Sequence, residues 1–119
     1  MHFQTPPHQV AKLIYVMSGK ALDVVLDLKT GKYEAHELSV GKAIYVPENW
    51  YAHGFLSIED NTTMVYHQTG VYEEKSDRGI RYDSFGFCWG LKKVVVSARD
   101  WSLPTLEAYE NSAIDRWVG

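Results

Sequence analysis

Residues 20–29, KALDVVLDLK, put Leu22, Val24, Leu26 and Leu28 on one side of an extended chain and Asp23, Val25 and Asp27 on the other. A period of two is the mark of a β-strand whose faces meet different surroundings. Thr30-Gly31 follows as a hairpin turn. The rest of the chain repeats this short rhythm. Residues 11–18 (AKLIYVMS) are rich in strand formers and stop at Gly19. Further strand patterns occupy 33–38, 42–46, 53–58 and 62–69, broken by Pro47-Glu48-Asn49 and by Glu59-Asp60-Asn61, and a late one is expected at 92–97 (KKVVVS). Helix is expected only at the end, over 104–109 and 112–118, with Asn111-Ser112 capping the second. Many short strands with frequent turns predict an all-β sandwich or barrel with a short C-terminal helix. The mouth of such a barrel is lined by inward-pointing side chains and forms a natural pocket.

The 119 residues suit one domain, and 45% hydrophobic with 23% charged content is ordinary for a globular chain. The net charge of -3 argues against a nucleic-acid partner, which calls for a basic face. Cys88, alone between Phe87 and Trp89, has no partner for an internal disulfide. It reads as a buried small hydrophobe in a reducing, cytoplasmic compartment. Phe85, Phe87, Trp89 and the Val94-Val95-Val96 run read as core, and Glu73-Glu74-Lys75 as a solvated loop. The opening MHFQTPPHQV has neither the basic nor the apolar region of a signal peptide. No apolar run approaches the roughly 20 residues of a membrane helix.

Five histidines are present, His2, His8, His36, His53 and His67, but none in the His-x-His spacing expected of a metal-binding barrel of this size. No phosphate-cradling glycine loop and no Gly-x-Ser-x-Gly occurs. The polar residues that remain are dispersed: His2-Phe3-Gln4, Pro6-Pro7, Lys12-Leu13, Asp23 to Lys29, Leu38-Ser39, Tyr45-Val46-Pro47, Ala52-His53-Gly54-Phe55, Tyr72, Arg78 to Asp83, Ser97-Ala98-Arg99-Asp100 and Pro104-Thr105-Leu106. In order and spacing, over about residues 2–107, this series resembles the dTDP-4-dehydrorhamnose 3,5-epimerases. Members of that family carry further residues ahead of the histidine, including an Arg-Gly pair, so the chain reads as an N-terminally short member. The aromatic pair usual in the family is Val71-Tyr72 here.

The resemblance implies a cupin-type double-stranded β-helix (a jelly-roll barrel) spanning 1–119 as a single domain. It implies a homodimer, a nucleotide-sugar substrate, no membrane association, and neither metal nor redox cofactor. Position by position it makes His2 the catalytic base, Asp100 its carboxylate partner and Tyr72 the general acid. Lys12 and His53 become substrate contacts, with Gln4, Asp23 and Arg99 at or beside the pocket. The chemistry suits a 4-keto sugar. Protons next to the ketone are acidified, a base takes one, the ketone holds the resulting charge as an enolate, and an acid on the other face returns a proton. An imidazole held by a carboxylate is oriented for that task, and a lysine in a partly dry site stabilises the developing oxyanion. Two other readings stay open from the sequence: a sugar-binding barrel without activity, and a metal-dependent barrel. Each residue also has an ordinary role available, with His2 a fraying terminus, Tyr72 and His53 packing residues, Lys12 solvated and Asp100 a turn cap.

Overall fold

The computed structural model describes residues 1–112. In chain order its strands are β1 (His2–Gln4), β2 (Lys12–Ser18), β3 (Ala21–Asp27), β4 (Tyr33–Leu38), β5 (Ala43–Val46), β6 (Tyr51–Ser57), β7 (Thr63–Gln68) and β8 (Asp77–Gly79). A 3₁₀ turn at Glu74–Ser76 precedes β8, and two short helices follow it, α1 (Ala98–Ser102) and α2 (Leu106–Glu110). The strands form two sheets, ordered β4-β3-β6-β1-β8 and β5-β2-β7, with antiparallel pairing throughout. This is the jelly-roll arrangement expected.

The alternation read in β3 decides how the layers stack. Val24 and Leu26, wholly buried, and Leu28 point away from the three-stranded sheet into a core with Met1, Phe3, Ala52, Ile80, Phe85, Leu106 and Tyr109. Burying each of the larger aliphatic side chains is worth about 1.5–3 kcal/mol. Ala21 and Val25 belong to the other face, against Ile14, Val16, Leu38 and Val46 between the two sheets. β3 is therefore buried on both sides, and the polar Asp23 on its inner face is sealed from solvent at 0% exposure. The β3–β4 turn is closed by Asp27, whose carboxylate accepts from the amides of Lys29 and Thr30, with Gly31 at φ +74°.

The chain after β8 wraps the outer face of the five-stranded sheet. Phe85 is buried there and Phe87 and Trp89 pack beside it, as expected of core residues. Residues 92–97 form no strand, contrary to expectation, and Val95 is 94% exposed. Strand propensity is a fit to a neighbouring pleated surface, and neither sheet pairs with this segment. Cys88 is exposed rather than buried, because its neighbours Phe87 and Trp89 turn toward the core and leave it facing out. The helix expected around 104–109 is present as α2, starting two residues later and N-capped by Thr105, whose hydroxyl accepts from the Ala108 amide at 3.1 Å. Asn111 closes α2, and the helix expected over 112–118 lies outside the described residues apart from Ser112.

Candidate active site

β1 lies between β6 and β8, with His2 level with both His53 and Gly79, and Gln4 level with Asp77. Because Met1 and Phe3 are buried in the outer core, the side chains between and after them, His2 and Gln4, face the gap between the sheets. There they line a narrow cleft with Lys12, Val46, Tyr51 and His53. Two larger surface grooves contain none of the candidate residues.

Asp100 reaches His2 from the far end of the described chain. Ser97 caps α1, its hydroxyl accepting from the Asp100 amide at 3.1 Å, which sets Asp100 in the first turn. Asp100 is thus inside a capped helix rather than the cap of a turn. His2 Nε2 stands 2.9 Å from Asp100 Oδ1, across 98 residues of sequence, and both side chains are about a third exposed, at 31% and 33%. Burial pushes the His2 imidazole below its ordinary value, and the charge and hydrogen bond of Asp100 oppose that push. The Asp100 carboxylate orients the imidazole, and its charge would favour an imidazolium at this position.

A second line of groups crosses between the sheets. His53 Nδ1 is 3.3 Å from Asp23 Oδ2, and Lys12 Nζ is 3.1 Å from His53 Nε2. The ammonium can only donate, so Nε2 accepts and Nδ1 carries the hydrogen that Asp23 receives. One tautomer of His53 is fixed by its two neighbours. Burial lowers the Lys12 ammonium from its ordinary value, with the charges of Asp23 and Asp77 holding it up. The ring of Tyr66 meets His53 edge-on at 5.3 Å between centroids, with Lys12 Nζ 5.7 Å from its centre, and burial pushes the Tyr66 phenol up. Asp23 Oδ1 is buried without a hydrogen-bond partner.

Tyr72 is 62% exposed, and its hydroxyl donates to Asp77 Oδ2 at 3.4 Å. Arg99 of α1 donates to the same carboxylate oxygen. Lost hydration, then the negative charges of Asp77 and Glu74, push the Tyr72 phenol up. Gln4, 8% exposed, turns its amide toward backbone: it donates to the carbonyls of His8 and Val71 at 2.6 and 3.4 Å and accepts from the Glu73 amide at 3.1 Å. Asp77 and Tyr66 were not singled out from the sequence. Asp77 sits between Tyr72 and Arg78-Gly79 with no spacing to mark it, and only the β1–β8 pairing reveals that it joins Tyr72 to Arg99. Among the described residues, no three His, Cys, Asp or Glu side chains gather in a group that could hold a metal ion.

The sequence model of the dTDP-4-dehydrorhamnose 3,5-epimerases matches residues 1–108. A dTDP-4-dehydrorhamnose 3,5-epimerase of Sinorhizobium fredii is 33% identical over 116 residues, covering 89% of this chain and 59% of the relative. The crystal structure of the Sulfolobus tokodaii dTDP-4-dehydrorhamnose 3,5-epimerase superposes with a TM-score of 0.80 at 34% identity, covering 89% of this chain and 62% of that one. ChmJ, a 3'-monoepimerase of Streptomyces bikiniensis in complex with dTDP-quinovose, superposes at 0.84 with 26% identity, over 92% of this chain and 60% of its own. The chain spans about three fifths of the length of the curated relatives it matches.

Proposed function

The chain belongs to the dTDP-4-dehydrorhamnose 3,5-epimerase family, and from that premise we propose that it inverts a carbon next to the ketone of a nucleotide-linked 4-keto-6-deoxyhexose. His2 takes the proton from C3 or C5. The electron pair of the broken C–H bond moves into the ring and onto the ketone oxygen, giving an enolate. Lys12, whose charge Asp23 and Asp77 favour against the effect of burial and which is aimed by the fixed tautomer of His53, stabilises that oxyanion as an ammonium. Tyr72 delivers a proton to the opposite face, the C=O bond re-forms, and the phenolate and imidazolium return to their starting states by exchange with water. The ketone is the electron sink, so the inversion is redox-neutral. Asp77, which accepts from both Tyr72 and Arg99, holds these two side chains together, and the nucleotide part of the substrate is of the dTDP class named for the ChmJ complex. A homodimer is the assembly we assign. The outer face of the three-stranded sheet supports it, since Leu13, Met17 and Tyr45 are 41%, 65% and 65% exposed there.

The observation that carries the reading is the 2.9 Å contact between His2 and Asp100. The test is deuterium wash-in at C3 and C5 of a dTDP-4-keto-6-deoxyhexose in heavy water. The wild-type chain is expected to exchange, and His2→Asn to lose on the order of 100-fold or more of that rate. A wild-type chain that binds the sugar nucleotide and exchanges nothing overturns the proposal in favour of a binding protein.

A further inference from the structure

Tyr72 sits on an exposed stretch outside both sheets, yet a proton donor must be held to within a fraction of an ångström of its target. The 3₁₀ turn that follows it is closed locally, with the Ser76 amide donating to Glu73 O. The hydrogen bonds that flank Tyr72 itself come from β1. Gln4 grips the chain on both sides of Tyr72, through the carbonyl of Val71 and the amide of Glu73. Its other amide hydrogen goes to the carbonyl of His8, tying the same knot to the segment leading into β2. One residue further along, the Thr5 amide donates to Ser76 O at 2.8 Å, lacing the 3₁₀ turn after Tyr72 to the same strand. Gln4 is also level with Asp77, the acceptor of the Tyr72 hydroxyl. A single cross-strand pair therefore reaches the backbone on either side of Tyr72 from one member and its hydroxyl from the other.

We infer that Gln4 is a positioning residue for Tyr72, the side chain that fixes where the returning proton is delivered. Both hydrogens of its amide and its carbonyl oxygen are engaged with backbone, which suits a clamp better than a substrate contact. The assignment rests on the reading of Tyr72 as proton donor. It separates the two halves of the reaction, because His2 lies on the same strand but its contact with Asp100 involves none of the groups Gln4 holds.

Two variants test it. Gln4→Met keeps the volume and removes every polar contact; Gln4→Glu keeps an acceptor for the Glu73 amide and removes the two donors. Gln4→Glu carries the test should Gln4→Met fail to fold, as judged by thermal melting. In both, formation of inverted product is expected to fall at least about tenfold, while KM and deuterium wash-in stay within about threefold of wild type. An equal fall in wash-in and inversion, or no fall in either, overturns the assignment. A readout free of activity runs beside it: ¹⁹F spectra of the chain labelled with fluorotyrosine, with the Tyr72 line identified by Tyr72→Phe. That line is expected to move or broaden in both Gln4 variants and to stay in place in His2→Asn. An unmoved line overturns the clamp. A wild-type chain without wash-in overturns the proposed reaction, and the fluorine line still decides the clamp.

Discussion

The side chain of Leu103 fills the space that Gly79 leaves empty: a Cβ on Gly79 would stand 2.7 and 2.8 Å from the two Leu103 methyls and 2.9 Å from the carbonyl oxygen of Met1. Gly79 is level with His2 in the sheet, and Leu103 closes the end of α1, the helix that carries Asp100. The notch seats the end of α1 against the strand beside His2. Gly79→Ala is expected to cost about 1–3 kcal/mol of stability through overpacking. It also lifts α1 from β1 and lowers turnover at least about tenfold, an effect of the size a 1 Å displacement produces. Urea unfolding and turnover measure the two effects. Adding Leu103→Ala to the same chain should restore part of the turnover; unchanged turnover in Gly79→Ala alone would show that the seat is not needed.

Asp100→Asn tests the base in a pH–rate profile. In the proposed reaction His2 acts in its neutral form, so the rate falls as pH drops through the imidazole pKa. Burial already places that limb below the ordinary value near 6.5. The substitution removes the carboxylate charge that opposes burial, so the limb moves to lower pH still, while the plateau rate falls on the order of 100-fold because the imidazolium loses its partner. A limb that moves upward contradicts the assignment.

Asp23→Asn acts on the alkaline side. In the proposed reaction Lys12 stabilises the oxyanion only while protonated, and Asp23 is the first of the charges that hold its pKa up against burial. Without it the Lys12 pKa falls further, and the rate is lost at lower pH than in wild type. The profile between neutral and alkaline pH reads the shift; a coincident alkaline limb would mean that the Asp23 charge does not reach Lys12.

Tyr72→Phe separates proton removal from proton return. His2 is partly exposed and can trade its proton with water, so wash-in is expected to continue within about threefold. Inverted product is expected to fall on the order of 100-fold. Chromatographic separation of the epimers, with mass analysis of deuterium content, distinguishes the two outcomes.

The strands between Lys12 and Gln68 were legible because β3 alternates with a period of two and the others are short runs of strand formers broken by glycine, proline or polar turns. β1 and β8 were not, since three residues hold no period. The five residues of α1 are too few to show an amphipathic face, and its Ser97 cap was read only as part of a motif. The valines at 94–96 misled for the opposite reason, having propensity without a partner strand. The site followed a similar division. His2, Asp100, Lys12 and His53 were named through a family resemblance, and the structure brings each of them into contact with a second named residue. What the sequence could not carry is the closure itself. Asp77 joining Tyr72 to Arg99, and Gln4 gripping the chain around Tyr72, arise only when β1 enters the sheet between β6 and β8.

That insertion of β1 has a geometric consequence. Which way a strand residue points is a matter of odd and even, and a slip of one place reverses every side chain at once. On β1 the odd places hold Met1 and Phe3, at 4% and 5% exposure, and the even places hold His2 and Gln4. Misthreading by a single position would strand two large apolar groups in the cleft and bury an imidazole and an amide in oil. The aim of the imidazole is thus enforced by the hydrophobicity of its two neighbours, and polar substitutions at Met1 or Phe3 weaken parity itself.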